Sequence, residues 1–560
     1  MPQCSLPIEA VTMAEFGELM NVLGEFGPYQ KLVVLFTSLP QFLLPFQMIG
    51  QEFMVLDVPH HCDTSWIRAV GPNLTEEEQL NLTLPRDAAG AYEQCSMYSP
   101  VDWDLDSIRT YGLNATEKCR SGWVYPPGQP PSLLTEFDLV CDRKDLNDIS
   151  QSIYMAGLLL GSIILGTLSD RIGRRPAFLI SICLYGLFGL GAAFAPHLYV
   201  YIAFRCVVGA AVSGILITAL TLGTEWVGAS SRPKAVLLSH CLSALGQMAL
   251  AGVSYGIRNW RLLEIAGSAP MLALLFYIWV LPESARWLVT KGRIEEAKKV
   301  LQKAASFNKC TIPPELLEQL KGLKQTKSGS ILDLFQNKHL RKVTLIMSLT
   351  WFADSLVYYG LSLSVSSFGL DVYLTQLAFG AVELPARLSC IFLLEWFGRK
   401  KTQAVLLLLS GLMCLIIAGI PQDQTVAITV LAIIGKFTAT ASFSSSYVYI
   451  AELLPTIIRQ TGAGLCSMSA RIAGIMAPLI RLLGEFHQAI PMAVFGSPPV
   501  VVGLLCFLLP ETRGNQLADS TGEATPKPRS NKLEVLPKKG TTEDGVDLEK
   551  DVYQSSENKL

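Results

Sequence analysis

Long apolar runs separated by short charged loops dominate the chain. A helix needs about 20 mostly apolar residues to span a hydrocarbon core. Runs of that kind occur near 31–54, 149–168, 176–196, 199–222, 236–257 and 262–281, and again near 342–364, 371–394, 402–420, 426–449, 463–483 and 490–509. The pattern predicts an all-α membrane protein of twelve helices, six in each half. Glycine and proline interrupt several runs, which membrane helices tolerate better than soluble ones.

The charged loops repeat with the helices. Gly166-Thr167-Leu168-Ser169-Asp170-Arg171-Ile172-Gly173-Arg174-Arg175 has a worn copy ending Glu395-Trp396-Phe397-Gly398-Arg399-Lys400. Glu225 with Arg232 returns as Glu452 with Arg459, and Pro282-Glu283-Ser284 returns as Pro510-Glu511-Thr512. From Asp170 to Glu395 is 225 residues, from Glu225 to Glu452 is 227, and from Glu283 to Glu511 is 228. The half-chain is therefore duplicated, as in many secondary transporters. The spacing divides the chain into a lead-in over 1–30, a six-helix bundle over 31–288, a linker over 289–341, a second bundle over 342–510 and a tail over 511–560. Helix formers such as Ile294, Glu295, Glu296, Ala297, Val300 and Leu301 predict short amphipathic helices in the linker. The polar tail reads as disordered, with a scaffold or a kinase as its expected partner.

Basic residues set the orientation. Arg171, Arg174 and Arg175, then Arg399, Lys400 and Lys401, and a linker rich in lysine all fall on one side of the membrane. That side is the cytoplasm, and an even number of spans places both termini there, in a multi-pass protein of the plasma membrane. The opposite side receives the loop 55–148. It carries three glycosylation sequons, at Asn73, Asn81 and Asn114, and four cysteines, Cys62, Cys95, Cys119 and Cys141. Four cysteines in an oxidising compartment predict two disulfides, with three connectivities open.

Composition narrows the class further. Charged residues make up 16% of the 560 and the formal net charge is -2, which gives no basic footprint for nucleic acid. There is no Gly-x-x-x-x-Gly-Lys-Ser/Thr phosphate loop, His-Glu-x-x-His or Gly-x-Ser-x-Gly. No enzyme, metal or cofactor is expected, and transport is expected to run on gradients. The clusters Asp170/Arg171/Arg174/Arg175, Glu225/Arg232, Glu395/Arg399 and Glu452/Arg459 are expected to latch the two bundles together at their cytoplasmic ends and to break when the carrier opens inward.

An ionisable residue deep in a span is a functional candidate by its cost, about 2.5–3.5 kcal/mol on insertion scales. Arg471 falls near mid-membrane, with no acid within four residues on its own helix. A guanidinium there suits a carboxylate, which its planar fork grips with two bonds. Arg387 is a second candidate, although Glu383 four residues earlier offers it a partner. Asp354 lies at the depth of Arg471 and is expected to neutralise it when no substrate is bound. The role of Lys436 is left open. Trp351, Tyr358, Tyr359 and Phe443 supply aromatic walls for a planar anion.

At these residues the chain resembles solute carrier family 22, the organic ion transporters of the major facilitator superfamily. The resemblance runs from about Phe16 to Gly514. It rests on the glycosylated, cysteine-bearing loop, Cys141-Asp142-Arg143, Gln151-Ser152, Thr224-Glu225-Trp226, Asn259-Trp260-Arg261, Pro282-Glu283-Ser284-Ala285-Arg286-Trp287-Leu288 and Arg459-Gln460-Thr461-Gly462. Within the family the chain looks like the organic anion branch, since Arg471 stands where cation carriers have aspartate and Arg387 where anion carriers have a basic residue. Features of members thirteen and fourteen are both present. The resemblance implies the major facilitator fold and an anion pocket that includes Trp351, Tyr358, Tyr359, Phe443 and Ser467. It also implies small organic anions such as urate and nicotinate as substrates, exchanged for counter-anions. A carrier of a neutral or zwitterionic nutrient, such as riboflavin or carnitine, is the alternative, using Asp354 paired with Arg471 as a dipole.

Overall fold

The computed structural model describes residues 19–513 apart from 21, 25, 57, 88–89, 229–230, 315–317, 319–330 and 456–457. Residues 1–18 and the tail beyond Arg513, with its expected disorder and its expected scaffold or kinase partner, lie outside the described residues.

Twelve helical segments follow the apolar runs. Ten are by themselves long and apolar enough to cross a membrane: Pro28–Met48, Cys141–Ile172, Arg174–Ala193, Leu198–Glu225, Lys234–Gly256, Val372–Phe397, Arg399–Gly419, Thr425–Leu453, Thr461–Glu485 and Ala489–Cys506. The other two are the sixth and the seventh. The sixth holds Pro270 in Trp260–Ala273 and tightens into a 3-10 turn over Leu274–Phe276 before Tyr277–Val280. The seventh, Lys338–Leu363, is one continuous helix whose Thr344, Thr350, Asp354 and Ser355 lower its apolar character while lying buried.

Packing repeats the duplication. The fourth span packs on the second and third, the sixth on the third, and the first on the fourth and fifth; the tenth, twelfth and seventh make the corresponding contacts in the second half. Close approach between the second and fourth spans depends on Gly157, where a Cβ would run into the carbonyl oxygen of Cys206. The halves meet along two seams, the second span against the eleventh and the fifth against the eighth. By the repeat these seams are counterparts, since the eighth span copies the second and the eleventh copies the fifth.

The linker helix Ile294–Asn308 buries Ala297, Leu301, Ala304 and Ala305. Asn308 fixes it to the start of the first span, accepting from the Tyr29 amide at 2.8 Å and donating to Gln30 Oε1 at 2.8 Å. This part of the linker therefore packs with the first half. On the other side, the loop 55–148 folds around two short antiparallel pairs, His61–Cys62 with Trp123–Val124 and Ser96–Tyr98 with Thr116–Lys118. Disulfides join Cys62 to Cys119 and Cys95 to Cys141. Thr75 and Glu78 form a capping box at the helix Glu76–Thr83, and Asn73, Asn81 and Asn114 are exposed.

Candidate functional site

Three helices of the second half build a cavity of about 130 Å³, and the spacing of their residues explains which side chains reach it. Trp351, Ser355 and Tyr359 recur every four residues on the seventh span and so share one face. Phe443 and Tyr447 do the same on the tenth, as do Ser467, Arg471 and Gly474 at near-helical spacing on the eleventh. The aromatic rings form a continuous wall, with centroids 4.3 Å apart for Trp351 and Tyr447, 5.7 Å for Trp351 and Phe443, and 5.6 Å for Phe443 and Tyr447. The first half closes the cavity with apolar Met155, Leu158 and Leu216.

Arg471 is the charge of this cavity. Among the described residues it makes no ion pair and no hydrogen bond, and its Nε is buried without a partner. Tyr359 and Tyr447 lie within its electrostatic reach. Removing a guanidinium from water without pairing it is costly, so the arrangement suits an anion that brings its own acceptors.

Arg387, Tyr358 and Asp354 lie elsewhere. Asp354 and Tyr358 are four residues apart, each one position before a cavity residue, so they face other helices. The Asp354 carboxylate accepts from Ser442 Oγ at 2.5 Å and from Ser446 Oγ at 2.5 Å, and it does not pair with Arg471 as expected. Ser442 and Ser446 are themselves one position before Phe443 and Tyr447, so the two helices turn matching faces to one another behind the aromatic wall. Arg387 pairs with Glu383 at 3.1 Å, and Lys436 reaches the same carboxylate at 3.1 Å. Tyr358 donates to Glu383 at 2.6 Å, with the Lys436 ammonium 3.2 Å from the centre of its ring. Arg387 also donates across the seam to His240 Nδ1 at 2.8 Å, which leaves that ring's proton on Nε2.

The repeated motifs meet in space. In the first half Arg174 pairs with Glu225 at 3.2 Å and with Asp170 at 2.5 Å, while the Glu283 carboxylate accepts from the Arg174 amide at 2.9 Å and the Arg175 amide at 3.2 Å. In the second half Arg399 pairs with Glu452 at 2.9 Å, and Glu511 accepts from the Arg399 amide at 2.9 Å and the Lys400 amide at 3.2 Å. Each carboxylate caps the start of a helix, where free amides and the helix dipole favour negative charge. Gly173 (φ 114°) and Gly398 (φ 86°) make the turn, and a Cβ on either would strike the capping acid. Burial pushes the Glu283 carboxyl above the usual range, against the backbone amides that hold it down.

These pairs close within one half each, so the expected latch between bundles is instead a joint inside each bundle. It ties together, at the end of the bundle opposite the loop 55–148, spans that are far apart in sequence. Arg171 and Glu395 are exposed and make no pair among the described residues. Arg232 lies within electrostatic reach of Glu225 and Arg286, and Arg459 donates to the Leu454 carbonyl at 3.3 Å.

Among the described residues, ion pairs between the halves lie at the opposite end. Arg481, near the end of the eleventh span, reaches Glu52 after the first span at 2.7 Å and Asp148 at the start of the second at 2.7 Å. All three groups border the disulfide-bonded loop and are largely buried.

Comparison with known proteins places the chain. The model of the Sugar (and other) transporter family matches residues 131–521. Human solute carrier family 22 member 13 is 52% identical over 524 residues, 93% of this chain and 95% of that one. The chain belongs to solute carrier family 22. It is a multi-pass membrane transporter of the organic ion family, not an enzyme. Mouse solute carrier family 22 member 14 is 42% identical over 92% of this chain and 81% of its own length. Member 6-B of the family from Xenopus laevis is 36% identical over 91% and 94%. Among solved structures, the inward-open xylose transporter XylE from E. coli superposes with a TM-score of 0.59 at 16% identity, covering 87% of this chain and 98% of that one. The likeness gives this family 22 carrier the twelve-helix major facilitator fold.

Sequence reasoning missed several polar residues of this family 22 carrier. Tyr447 and Ser355 line the cavity, and helical phase with Phe443 and Trp351 marks both. Arg205 is fully buried in the fourth span, held by Gln47 Oε1 at 2.9 Å, Gln51 Oε1 at 3.0 Å and Gln151 Oε1 at 2.8 Å. An arginine in an apolar run with no acid within four residues is its signal in the sequence.

Proposed function

We propose that this chain exchanges small organic anions across the plasma membrane by alternating access, with both termini in the cytoplasm. The observation that carries the reading is the unpaired Arg471 guanidinium in an aromatic-walled cavity. A carboxylate would take the guanidinium fork, and a planar ring would lie against Trp351, Phe443 and Tyr447. Nicotinate and other monocarboxylates have that chemistry, and urate, a planar ring anion without a carboxylate, would offer the guanidinium its carbonyl and ring-nitrogen acceptors instead. Lactate, dicarboxylates and glutathione are the counter-anions to test. The two seams between halves allow one bundle to rock against the other, so that the cavity opens to each side in turn. The neutral-nutrient alternative loses its specific support, because Asp354 is committed to Ser442 and Ser446.

The test is uptake of labelled urate, nicotinate, riboflavin and a small organic cation by cells expressing the wild type or Arg471→Ala, with and without preloaded lactate. A charge-assisted bond contributes about 1.5–3 kcal/mol, so anion uptake at low concentration should fall roughly 10- to 100-fold in the variant. Preloading should stimulate the wild type. Riboflavin uptake without anion uptake, or anion uptake indifferent to Arg471, would overturn the proposal.

A further inference from the structure

The two disulfides of the loop 55–148 stand in different surroundings. Cys62 is fully buried, and its bond to Cys119 lies in a small apolar cluster with Leu84 and Met97. Cys95, by contrast, is exposed, and its partner Cys141 is half-buried at the entrance to the second span. The Cys95 side of that bond is open to a small molecule in solution.

A histidine ring is aimed at the other side. His60 is 9% exposed, and its Nδ1 lies 2.8 Å from the Val58 carbonyl oxygen. A carbonyl only accepts, so Nδ1 carries the proton of the neutral ring and Nε2 keeps a lone pair. Nε2 lies 3.7 Å from Cys141 Sγ, and a disulfide sulfur has no hydrogen to offer it. The Gln94 carbonyl oxygen lies 3.6 Å from Cys141 Sγ and 3.9 Å from Cys119 Sγ, but among the described residues a ring nitrogen joins it only at Cys141. These two acceptors suit a thiol at Cys141 better than they suit the bond. The Cys141 backbone is also held at a φ of 52°, in the left-handed region that residues with a Cβ seldom adopt.

We propose that the Cys95–Cys141 disulfide is a site of exchange with small thiols such as glutathione, and that His60 assists by serving Cys141 as the leaving sulfur. The thiol gives its proton to water and attacks Cys95 Sγ as a thiolate. A new sulfur–sulfur bond forms there, the Cys95–Cys141 bond breaks, and its electron pair leaves on Cys141 Sγ. His60 Nε2 takes a proton from water and passes it to that sulfur, whose S–H can then donate to the Gln94 carbonyl. The products are a mixed disulfide at Cys95 and a thiol at Cys141, with the small thiol as the reductant. A sulfur whose charge is relieved as it departs leaves faster. Exchange undoes the covalent tie between the strand Ser96–Tyr98 and the second span, whose Asp148, seven residues beyond Cys141, holds Arg481. What the cavity carries has no bearing on this chemistry.

The experiment treats the purified full-length carrier in detergent with glutathione, quenches it with a maleimide at timed intervals and maps each cysteine by peptide mass. In the wild type, glutathione should appear on Cys95 and maleimide on Cys141 at least about tenfold faster than either appears on Cys62 or Cys119. That contrast needs no variant to fold. His60→Phe keeps a ring without the nitrogen and should slow the Cys95 adduct at least about tenfold, a floor for help from a positioned acid or base, with the Cys62–Cys119 rate unchanged. Both bonds opening at one rate, glutathione found on Cys141 in place of Cys95, a Cys95–Cys141 bond that stays joined, or a His60→Phe rate equal to the wild type would each overturn the proposal.

Discussion

Replacing Arg481 by glutamine should tilt the carrier toward the state open on the side of the loop 55–148, the outside on the proposed topology. In the structure one guanidinium serves two carboxylates, Glu52 and Asp148, at 2.7 Å each, with side-chain exposures of 17%, 7% and 15%. Removing the cation leaves two like charges buried side by side. Breaking a buried pair by deleting one partner costs about 3–5 kcal/mol. That cost falls on the state in which the loop-side ends are closed, since separating the halves lets water reach both acids. At about 1.4 kcal/mol per factor of ten, the equilibrium shifts roughly 100- to 4,000-fold toward open. Leu216→Cys places a thiol in the cavity wall, and a membrane-impermeant thiol reagent applied outside reports how often that wall is exposed. Labelling should speed up by about two orders of magnitude when Arg481→Gln is added. Asp148→Asn leaves a one-to-one pair with Glu52 and should change the rate less than about fivefold, since it strands no charge. A labelling rate within about threefold of the parent in Arg481→Gln, at equal surface amount, would refute the reasoning.

Two further outcomes are expected. Glu383→Gln strands Arg387 and Lys436, which share that carboxylate at 3.1 Å each, and should cost about 3–5 kcal/mol, read as a lower thermal inactivation midpoint in detergent; Glu383→Asp should recover part of it. Gly157→Ala drives a Cβ into the Cys206 carbonyl between two helix backbones and should cost about 1–3 kcal/mol, whereas Gly166→Ala, which meets open space, should leave the midpoint unchanged.

The fold was legible because a membrane helix declares itself by length and composition, and because a duplicated chain shows its markers twice. The site was legible in part. Arg471, Trp351, Tyr359, Phe443 and Ser467 share the cavity, but Arg387, Tyr358 and Asp354, grouped with them by depth and, for the first two, by resemblance, lie outside it. Depth fixes a residue's distance along the membrane normal, and helical phase fixes which neighbour it faces. The four-residue spacing of Trp351, Ser355 and Tyr359 against that of Asp354 and Tyr358 carries this distinction in the sequence itself. Partners distant along the chain were not legible. Nothing in the spacing of Arg174, Glu225 and Glu283 says that they meet within one bundle rather than across two. Arg481 sits at the margin of its apolar run, where a basic residue reads as a flank, and its two acids lie more than 300 residues earlier.

The cavity is lopsided. Its charge, hydroxyls and rings come from the seventh, tenth and eleventh spans, while among the described residues the first half contributes Met155, Leu158 and Leu216. A duplicated protein has thereby split two tasks between copies that began alike. On the proposed reading one copy chooses the cargo, while the other presents an apolar face and carries the disulfide-bonded loop 55–148. Selectivity can then drift by substitutions in three helices without disturbing the surface that slides past them. Grafting those three helices between relatives is accordingly the shortest route to exchanging their substrates.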